Sequence, residues 1–201
     1  HQKHAKLKLR DNDNFAPNEI SILGTNCTNI SNLVSKVSEK LASYKLAYFD
    51  ASHSKDIEKN TLEMFTFHHK GTAEISVNSE VNKFNQRVQF SQYDFVFING
   101  NHYQGAKQIL ILDNEKESSV LKRLDQLNDI KFMINVNHES KIFGFLKKKY
   151  PHIEHLKIYN INDTEAISAH IIKLIKQNIA EVQGLVLAGG KSLRMGQDKG
   201  L

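Results

Sequence analysis

The stretch that decides the fold is Glu19-Ile20-Ser21-Ile22-Leu23-Gly24-Thr25-Asn26-Cys27-Thr28-Asn29-Ile30-Ser31. Its first five residues form a short apolar run, which predicts a β-strand. From Ile30 onward the apolar residues fall at helical spacing, as one stripe on a polar helix: Ile30, Leu33, Val34, Val37 and Leu41. Gly24 therefore lies where a strand turns into a helix.

The same alternation of apolar runs and amphipathic segments continues along the chain. Further strands are predicted at 45–50, 95–98, 109–112 and 132–134, and a hairpin at 64–67 and 73–77. Helices are predicted at 81–90, around Val120, Leu121, Leu124 and Leu127, and after an N-cap at Asn162, with Ile167, Ile171, Leu174, Ile175 and Ile179 on one face. Continuous apolar strands separated by amphipathic helices indicate an α/β fold, a mostly parallel sheet flanked by helices.

The turn after the first strand occupies the place of a P-loop, GxxxxGK[ST]. In that register Gly24 and Ser31 are kept, but Asn29 replaces the second glycine and Ile30 replaces the lysine. Isoleucine cannot reach phosphates or stabilise charge in a transition state. We expect a degenerate P-loop that binds nucleotide poorly and hydrolyses none, with Gly24 and Ser31 as weak candidates for nucleotide contact. Ser31 could instead cap the helix or meet an anion at its N-terminus.

Composition limits the classes of function. The 201 residues carry a net charge of +5. The single cysteine cannot form an internal disulfide, which fits a reducing cytoplasm. No apolar run approaches the roughly 18 residues of a membrane span. The basic residues are spread along the chain without a nucleic-acid-binding motif, so neither nucleic acid nor membrane is expected as a partner.

A second glycine-rich turn closes the sequence. Leu187-Ala188-Gly189-Gly190-Lys191-Ser192-Leu193-Arg194-Met195-Gly196-Gln197-Asp198-Lys199 follows an apolar run. Two glycines at the end of such a run let backbone approach a phosphate or base closely. The string resembles the signature LAGGxSxRMGxDK of molybdenum cofactor guanylyltransferases and their nucleotidyltransferase relatives.

This resemblance implies roles for named residues and for a parent protein. Leu187, Ala188 and Gly189 would contact the guanine nucleotide, and Gly190 would complete the turn. Arg194 would approach the phosphates and Lys199 the nucleotide. The parent would transfer GMP from GTP to molybdopterin with Mg²⁺. The sequence stops at Leu201, before the aspartates that hold magnesium in that family, so we expect no catalytic residue in this chain and no activity of its own.

A third region resembles a different family. Tyr93-Asp94-Phe95-Val96-Phe97-Ile98-Asn99-Gly100, followed by Lys107-Gln108-Ile109-Leu110, is similar to the molybdopterin-guanine dinucleotide adapter proteins, small P-loop proteins that bind the guanylyltransferase. In them an acidic residue and a glycine end this strand; here Asn99 replaces the acid. The predicted organisation is a tail at 1–17, a degenerate adapter-like P-loop domain at 18–180 and the start of a nucleotidyltransferase domain at 181–201.

Other polar residues are weaker candidates. Cys27 lies at a predicted helix N-terminus, but no histidine or aspartate partner is recognisable from the sequence. Asp50, His53 and the polar loop 101–105 follow predicted strands, at the edge where α/β proteins bind ligands. The paired histidines at 68–69 and 152–155 lack the ligand sets of a zinc site, so no metal is expected.

Two alternatives remain open. The parent could be another nucleotidyltransferase, one that makes a nucleotide sugar or transfers a cytidylyl group. Alternatively, the first 180 residues could be a pure protein-interaction module that docks onto a molybdoenzyme or another protein of the cofactor pathway. The two kinds of adapter differ in whether residues 1–201 bind a nucleotide: the pure interaction module would bind none.

Overall fold

The computed structural model describes residues 15–51, 64–67, 73–76, 83–137 and 141–178. The strands are β1 Glu19–Leu23, β2 Leu46–Phe49, β3 Met64–Phe67, β4 Ala73–Ser76, β5 Phe95–Asn99, β6 Gln108–Leu112, β7 Ile130–Asn135 and β8 Ile158–Asn160. The helices are α1 Cys27–Lys40, α2 Lys83–Phe90, α3 Glu117–Lys122, α4 Gly144–Lys149 and α5 Thr164–Asn178.

Six strands form one sheet in the order β2-β5-β1-β6-β7-β8, and every pairing in it is parallel. Strands β3 and β4 form a separate antiparallel hairpin, as predicted. The central strands β1, β5 and β6 are buried along their whole length, which explains the apolar runs at 95–98 and 109–112. In β1 the polar side chains of Glu19 and Ser21 are buried as well. The predicted α/β fold is confirmed.

Helices α1 and α5 cover one face of the sheet. The apolar stripe of α1 and that of α5 pack with the side chains that β1, β5, β6 and β7 present to this face. The stripe members Ile167, Ile171 and Ile175 of α5 are at most 1% exposed. The 3.6-residue periodicity of the sequence thus identified which face of each long helix is buried.

The other face is covered by shorter elements. Leu110, Leu112 and Met133 from the sheet pack with Val120 of α3 and Leu146 of α4. The predicted helix around Val120 ends at Lys122, and 3₁₀ turns at 114–116 and 124–126 flank it. Leu121, one of the four apolar residues assigned to this helix, is 50% exposed and lies away from its buried face.

The start of α5 also differs from the prediction. Asp163, not Asn162, caps the helix: its Oδ1 accepts the N–H of Ala166 at 3.1 Å. Glu165 accordingly lies one position earlier in the helix than a capping box requires, and it forms an ion pair with Lys40 of α1. The acidic residue therefore links the two helices that cover this face.

Packing begins before the predicted domain start at residue 18. Ala16 is fully buried, and its N–H donates to Oε2 of Glu19 at 2.7 Å. Oε1 of the same carboxylate accepts the N–H of Ala106 at 3.0 Å, and burial raises the pKa of Glu19. Phe15 packs on Phe49 with 5.2 Å between ring centroids. Of the predicted tail, only residues 15–17 are described, and they belong to the packed domain.

The described helices include none that is long and apolar enough to cross a membrane.

Candidate functional site

The strand order creates a switch point at β1. The chain leaves β1 through α1 toward β2 on one side, and later returns to β6 on the other side of β1. In open parallel sheets, ligands bind at the carboxyl ends of the strands beside such a reversal. The residues that follow β1, β2, β5 and β6 meet at this edge.

Gly24 is required by the close approach of the first loop to β6. Its φ is +102°, a conformation that side chains with Cβ rarely adopt. A Cβ at this position would lie 2.2 Å from the carbonyl oxygen of Ile111. The glycine that the sequence marks as a candidate phosphate-loop residue therefore has a structural requirement of its own.

The loop between β1 and α1 contains only Gly24, Thr25 and Asn26, because α1 begins at Cys27. The side chain of Asn26 caps the helix, accepting the N–H of Asn29 at 2.8 Å. A P-loop instead wraps a phosphate with free backbone N–H groups along a longer glycine-rich segment. Residues 27–31, which align with the second half of that motif, are helical here.

The hydroxyl and the carbonyl of Thr25 are also hydrogen-bonded within the protein. The Thr25 hydroxyl donates to Oδ2 of Asp113, which follows β6, at 2.7 Å. The Thr25 carbonyl accepts from Nδ2 of Asn101 at 2.8 Å, and Asn29 Nδ2 donates to the Thr25 hydroxyl at 3.0 Å. Asp113 after β6 and Asn101 after β5 thus hold Thr25 in place.

The two residues at the lysine and serine positions of the motif point elsewhere. Ile30 is fully buried among the core residues under α1. The Ser31 hydroxyl donates to the carbonyl of Thr28 at 3.0 Å within the same helix. The described loop therefore does not fit a nucleoside triphosphate with Mg²⁺ in the manner of a P-loop. That Gly24 and Ser31 contact a nucleotide weakly stays a prediction.

A carboxylate reaches this edge from β2 rather than from β5. Asn99, which stands at the acidic position of the adapter proteins, is fully buried and donates from Nδ2 to Oδ1 of Asp50 at 2.8 Å. The Tyr48 hydroxyl donates to Oδ2 of the same residue at 2.8 Å. Burial, with this hydrogen bond second, raises the pKa of Tyr48 far above its usual value. Asp50 thus belongs to the site, as expected from its place after a strand, whereas His53 lies outside the described residues.

The 101–105 loop brings a histidine to the cysteine of α1. Nε2 of His102 lies 3.3 Å from Sγ of Cys27 and 3.8 Å from Oδ1 of Asp50. Nδ2 of Asn101 lies 3.7 Å from the same sulfur. The partner that was not recognisable from the sequence is therefore His102. The sequence held a signal for this cluster, since Cys27, Asp50 and the 101–105 loop all follow predicted strands.

The far side of the 101–105 loop is aromatic. Tyr103 stacks on Phe49 with ring centroids 4.2 Å apart and planes inclined by 14°. The rings of Phe15 and Phe90 pack edge-on or tilted against this pair. The pKa of Tyr103 is raised by burial and by the charge of Asp50. This stack fixes the loop that carries His102 against β2.

Two other features lie at the opposite edge of the sheet. Lys107 precedes β6, and burial lowers its pKa. A cavity of about 300 Å³ lies at the start of β7, lined by Ile130, Tyr150 and His152 among others. Lys107, which belongs to the string that resembles the adapter proteins, is therefore remote from the first loop.

The remaining sequence predictions concern the second glycine-rich turn and the two histidine pairs. Residues 68–69 and the predicted guanine-nucleotide residues Leu187, Ala188, Gly189, Gly190, Arg194 and Lys199 lie outside the described ranges. The His152 and His155 ring centroids are 6.3 Å apart. Within the described ranges, no group of three or more histidine, cysteine or acidic residues is placed to hold a metal ion.

The six-stranded parallel sheet and its flanking helices define an α/β domain, and its first loop lacks the lysine of a P-loop. MobB proteins are among the solved structures with the same fold. The chain is similar to a crystal structure of molybdopterin-guanine biosynthesis protein B (TM-score 0.51, 15% identity, 79% of this chain and 99% of that chain).

Two further structures agree. Bacillus subtilis MobB has a TM-score of 0.54 at 12% identity, over 78% of this chain and 97% of that one. A MobB homolog from Bacillus stearothermophilus has a TM-score of 0.51 at 9% identity, over 79% and 98%. At these identities the likeness shows the fold. No protein-family model matches the chain, and no curated protein matches it.

Proposed function

We propose that residues 18–180 form an adapter-like docking domain of molybdenum cofactor biosynthesis that hydrolyses no nucleotide. The observation that carries this proposal is a MobB-like sheet with a first loop that lacks the features of a P-loop. Thr25 of this loop is hydrogen-bonded to Asp113 and Asn101, and Ile30, at the lysine position, lies in the core. Such a domain has the layered sheet of the fold but lacks the lysine that contacts terminal phosphates. Protein contact is then the function that the described residues support best.

The sequence 187–199 supports the second part of the proposal, a guanylyltransferase domain that begins near residue 181. That domain would transfer GMP from GTP to molybdopterin, with Mg²⁺ as its metal. By the resemblance, Leu187, Ala188 and Gly189 would contact the guanine nucleotide. Arg194 would approach its phosphates, and Lys199 would contact the nucleotide. The attacking group is a phosphate oxygen of the acceptor, so the protein's part is positioning and charge stabilisation.

Two other functions stay as alternatives. A nucleotidyltransferase for nucleotide sugars or cytidylyl groups would share the glycine-rich turn, and the base it selects would reveal it. A pure interaction module without any nucleotide site would share the closed first loop. Both alternatives differ from the proposal in what the protein binds.

The test is a calorimetric titration of the 201-residue chain with GTP and Mg²⁺, with ATP and CTP as controls. We expect weak or no heat for all three nucleotides, because the first loop offers no phosphate cradle. Tight GTP-selective binding that persists after Arg194 and Lys199 are both replaced by alanine would contradict this reading of the first loop and support a nucleotide-sensing domain. Tight CTP-selective binding would favour the cytidylyl alternative.

A turnover assay and a mixing experiment complete the test. Steady GTP or ATP hydrolysis that disappears in Ser31→Ala would overturn the absence of hydrolysis. Size-exclusion chromatography of the chain mixed with a purified molybdenum cofactor guanylyltransferase tests the docking role. Co-elution supports the adapter proposal, and separate elution at micromolar concentrations of both proteins counts against it.

A further inference from the structure

Two side chains of complementary chemistry meet at the carboxyl edge of the sheet although they are 75 residues apart in sequence. Cys27 is the first residue of α1, and its sulfur lies 3.3 Å from Nε2 of His102. The amide nitrogen of Asn101 lies 3.7 Å from the same sulfur and is held there by its hydrogen bond to the Thr25 carbonyl. Neither the P-loop resemblance nor the docking role uses this pair.

The arrangement fits the activation of a thiol. A thiolate, not a thiol, is the nucleophilic form of cysteine, and a base within hydrogen-bond reach produces it. Nε2 of His102 is in reach of the thiol proton. Oδ1 of Asp50, 3.8 Å from that nitrogen, is within ion-pair distance of the imidazolium that would form. The N-terminus of α1 favours negative charge on the sulfur of its first residue.

Access to the sulfur is open. Cys27 is half-buried, whereas its neighbours Asn26 and Thr28 are exposed. A small reagent can therefore approach the sulfur from solvent. Exchange with a disulfide needs only this approach and a thiolate, since attack takes place at sulfur and no oxyanion has to be stabilised.

We propose that Cys27 is a covalent modification site for low-molecular-weight disulfides, with His102 as the base. The proton of the Cys27 thiol passes to Nε2 of His102. The thiolate attacks one sulfur of the disulfide, so that a new S–S bond forms and the old one breaks. The departing thiolate takes the proton back from the imidazolium, and the products are a mixed disulfide at Cys27 and one free thiol.

The geometry supports stoichiometric modification rather than turnover. In nucleophile–histidine–acid triads the acid contacts the ring nitrogen opposite the one that takes the proton. Here Asp50 approaches the same nitrogen as the thiol, so it does not hold the ring in the orientation that repeated proton transfer needs. The adduct is expected to persist until a reducing thiol removes it.

The experiment measures the rate of adduct formation with oxidised glutathione by intact-mass spectrometry. Cys27 is the only cysteine of the 201 residues, so every adduct is assigned without ambiguity. We expect the folded chain to react about tenfold faster than the same chain in urea, because only the folded chain holds His102 beside the thiol. His102→Gln is expected to remove this gain, whereas His155→Gln, at an exposed position away from the sulfur, is expected to keep it.

Two results would overturn the proposal. One is a folded chain that reacts no faster than the chain in urea. The other is a His102→Gln variant that folds normally by circular dichroism and reacts as fast as the unchanged protein. Should His102→Gln fail to fold, the ratio of folded to urea rates in the unchanged protein decides by itself. Cys27→Ser serves as the blank. The proposal is independent of the docking role.

Discussion

Restoring the missing P-loop lysine by Ile30→Lys tests directly whether the first loop is a phosphate site. In a P-loop the lysine side chain points to the nucleotide, so the substitution would gain function at small structural cost. Here Ile30 is 0% exposed and lies under α1 in the core of that face. The lysine would therefore enter the core, and we expect the protein to lose stability without gaining GTP binding.

The magnitude follows from burial. Truncation of a buried isoleucine to alanine costs about 2–5 kcal/mol, of which burial of the side chain accounts for about 1.5–3. An ammonium group in the same place adds a desolvation penalty of several kcal/mol before relaxation. We expect Ile30→Lys to lower the free energy of unfolding by about 4 kcal/mol or more at neutral pH. That is a large share of the roughly 5–15 kcal/mol that stabilises a typical domain.

The assay is urea unfolding followed by circular dichroism, with Asn32→Lys as the matched control. Asn32 is an exposed residue of the same helix, so its replacement is expected to change stability by less than about 0.5 kcal/mol. Burial lowers the pKa of a lysine below its unfolded value of about 10.4. The folded variant then binds fewer protons than the unfolded one, and its stability should rise from pH 7 to about pH 9.5. An Ile30→Lys protein of unchanged stability that binds GTP would refute the reasoning.

Three further predictions follow from single contacts. Gly24→Ala should lower the free energy of unfolding by at least about 2 kcal/mol, because Gly24 has a positive φ and a Cβ there would lie 2.2 Å from the Ile111 carbonyl oxygen. Thermal or urea unfolding measures this loss, and an unchanged midpoint would contradict the described loop. Asn26→Ala should cost about 1 kcal/mol by removing the cap on the N–H of Asn29, and Asn26→Asp, which keeps an acceptor, should recover most of it. Burial lowers the pKa of His170, so the unfolded chain takes up the proton first and stability should fall as pH drops below about 6.5. His170→Gln should flatten that part of the pH profile, and a slope unchanged in the variant would assign it to other groups.

The layered fold was predictable because its signals are local. Strands β5, β6 and β7 contain buried apolar runs at 95–98, 109–112 and 132–134, and the stripes of α1 and α5 keep helical spacing over three or more turns. Short elements carry too few residues for such a pattern. The six residues of α4 and the three of β8 were accordingly missed, and α3 was predicted too long.

The candidate site was predictable only in outline. Parallel strands bring their carboxyl ends to one edge, so the sequence placed Asp50 and the 101–105 loop near the first turn. It also identified the losses at Ile30 and Asn99, since these are changes of chemical type. It also placed Cys27 at a helix N-terminus, where α1 begins. It did not show that Thr25 would be bonded to Asp113 and Asn101, because contacts between distant segments depend on the finished packing.

The sequence by itself therefore determined the α/β layers, the turn from β1 into α1 and the absence of a phosphate-binding lysine. Only the tertiary structure decided that Thr25 is tied to Asp113 and Asn101, and that His102 faces Cys27. Apolar periodicity is a property of neighbouring residues, and it persists whatever the rest of the chain does. A contact between side chains 75 residues apart depends on strand order, loop length and rotamers together, and no local pattern records these.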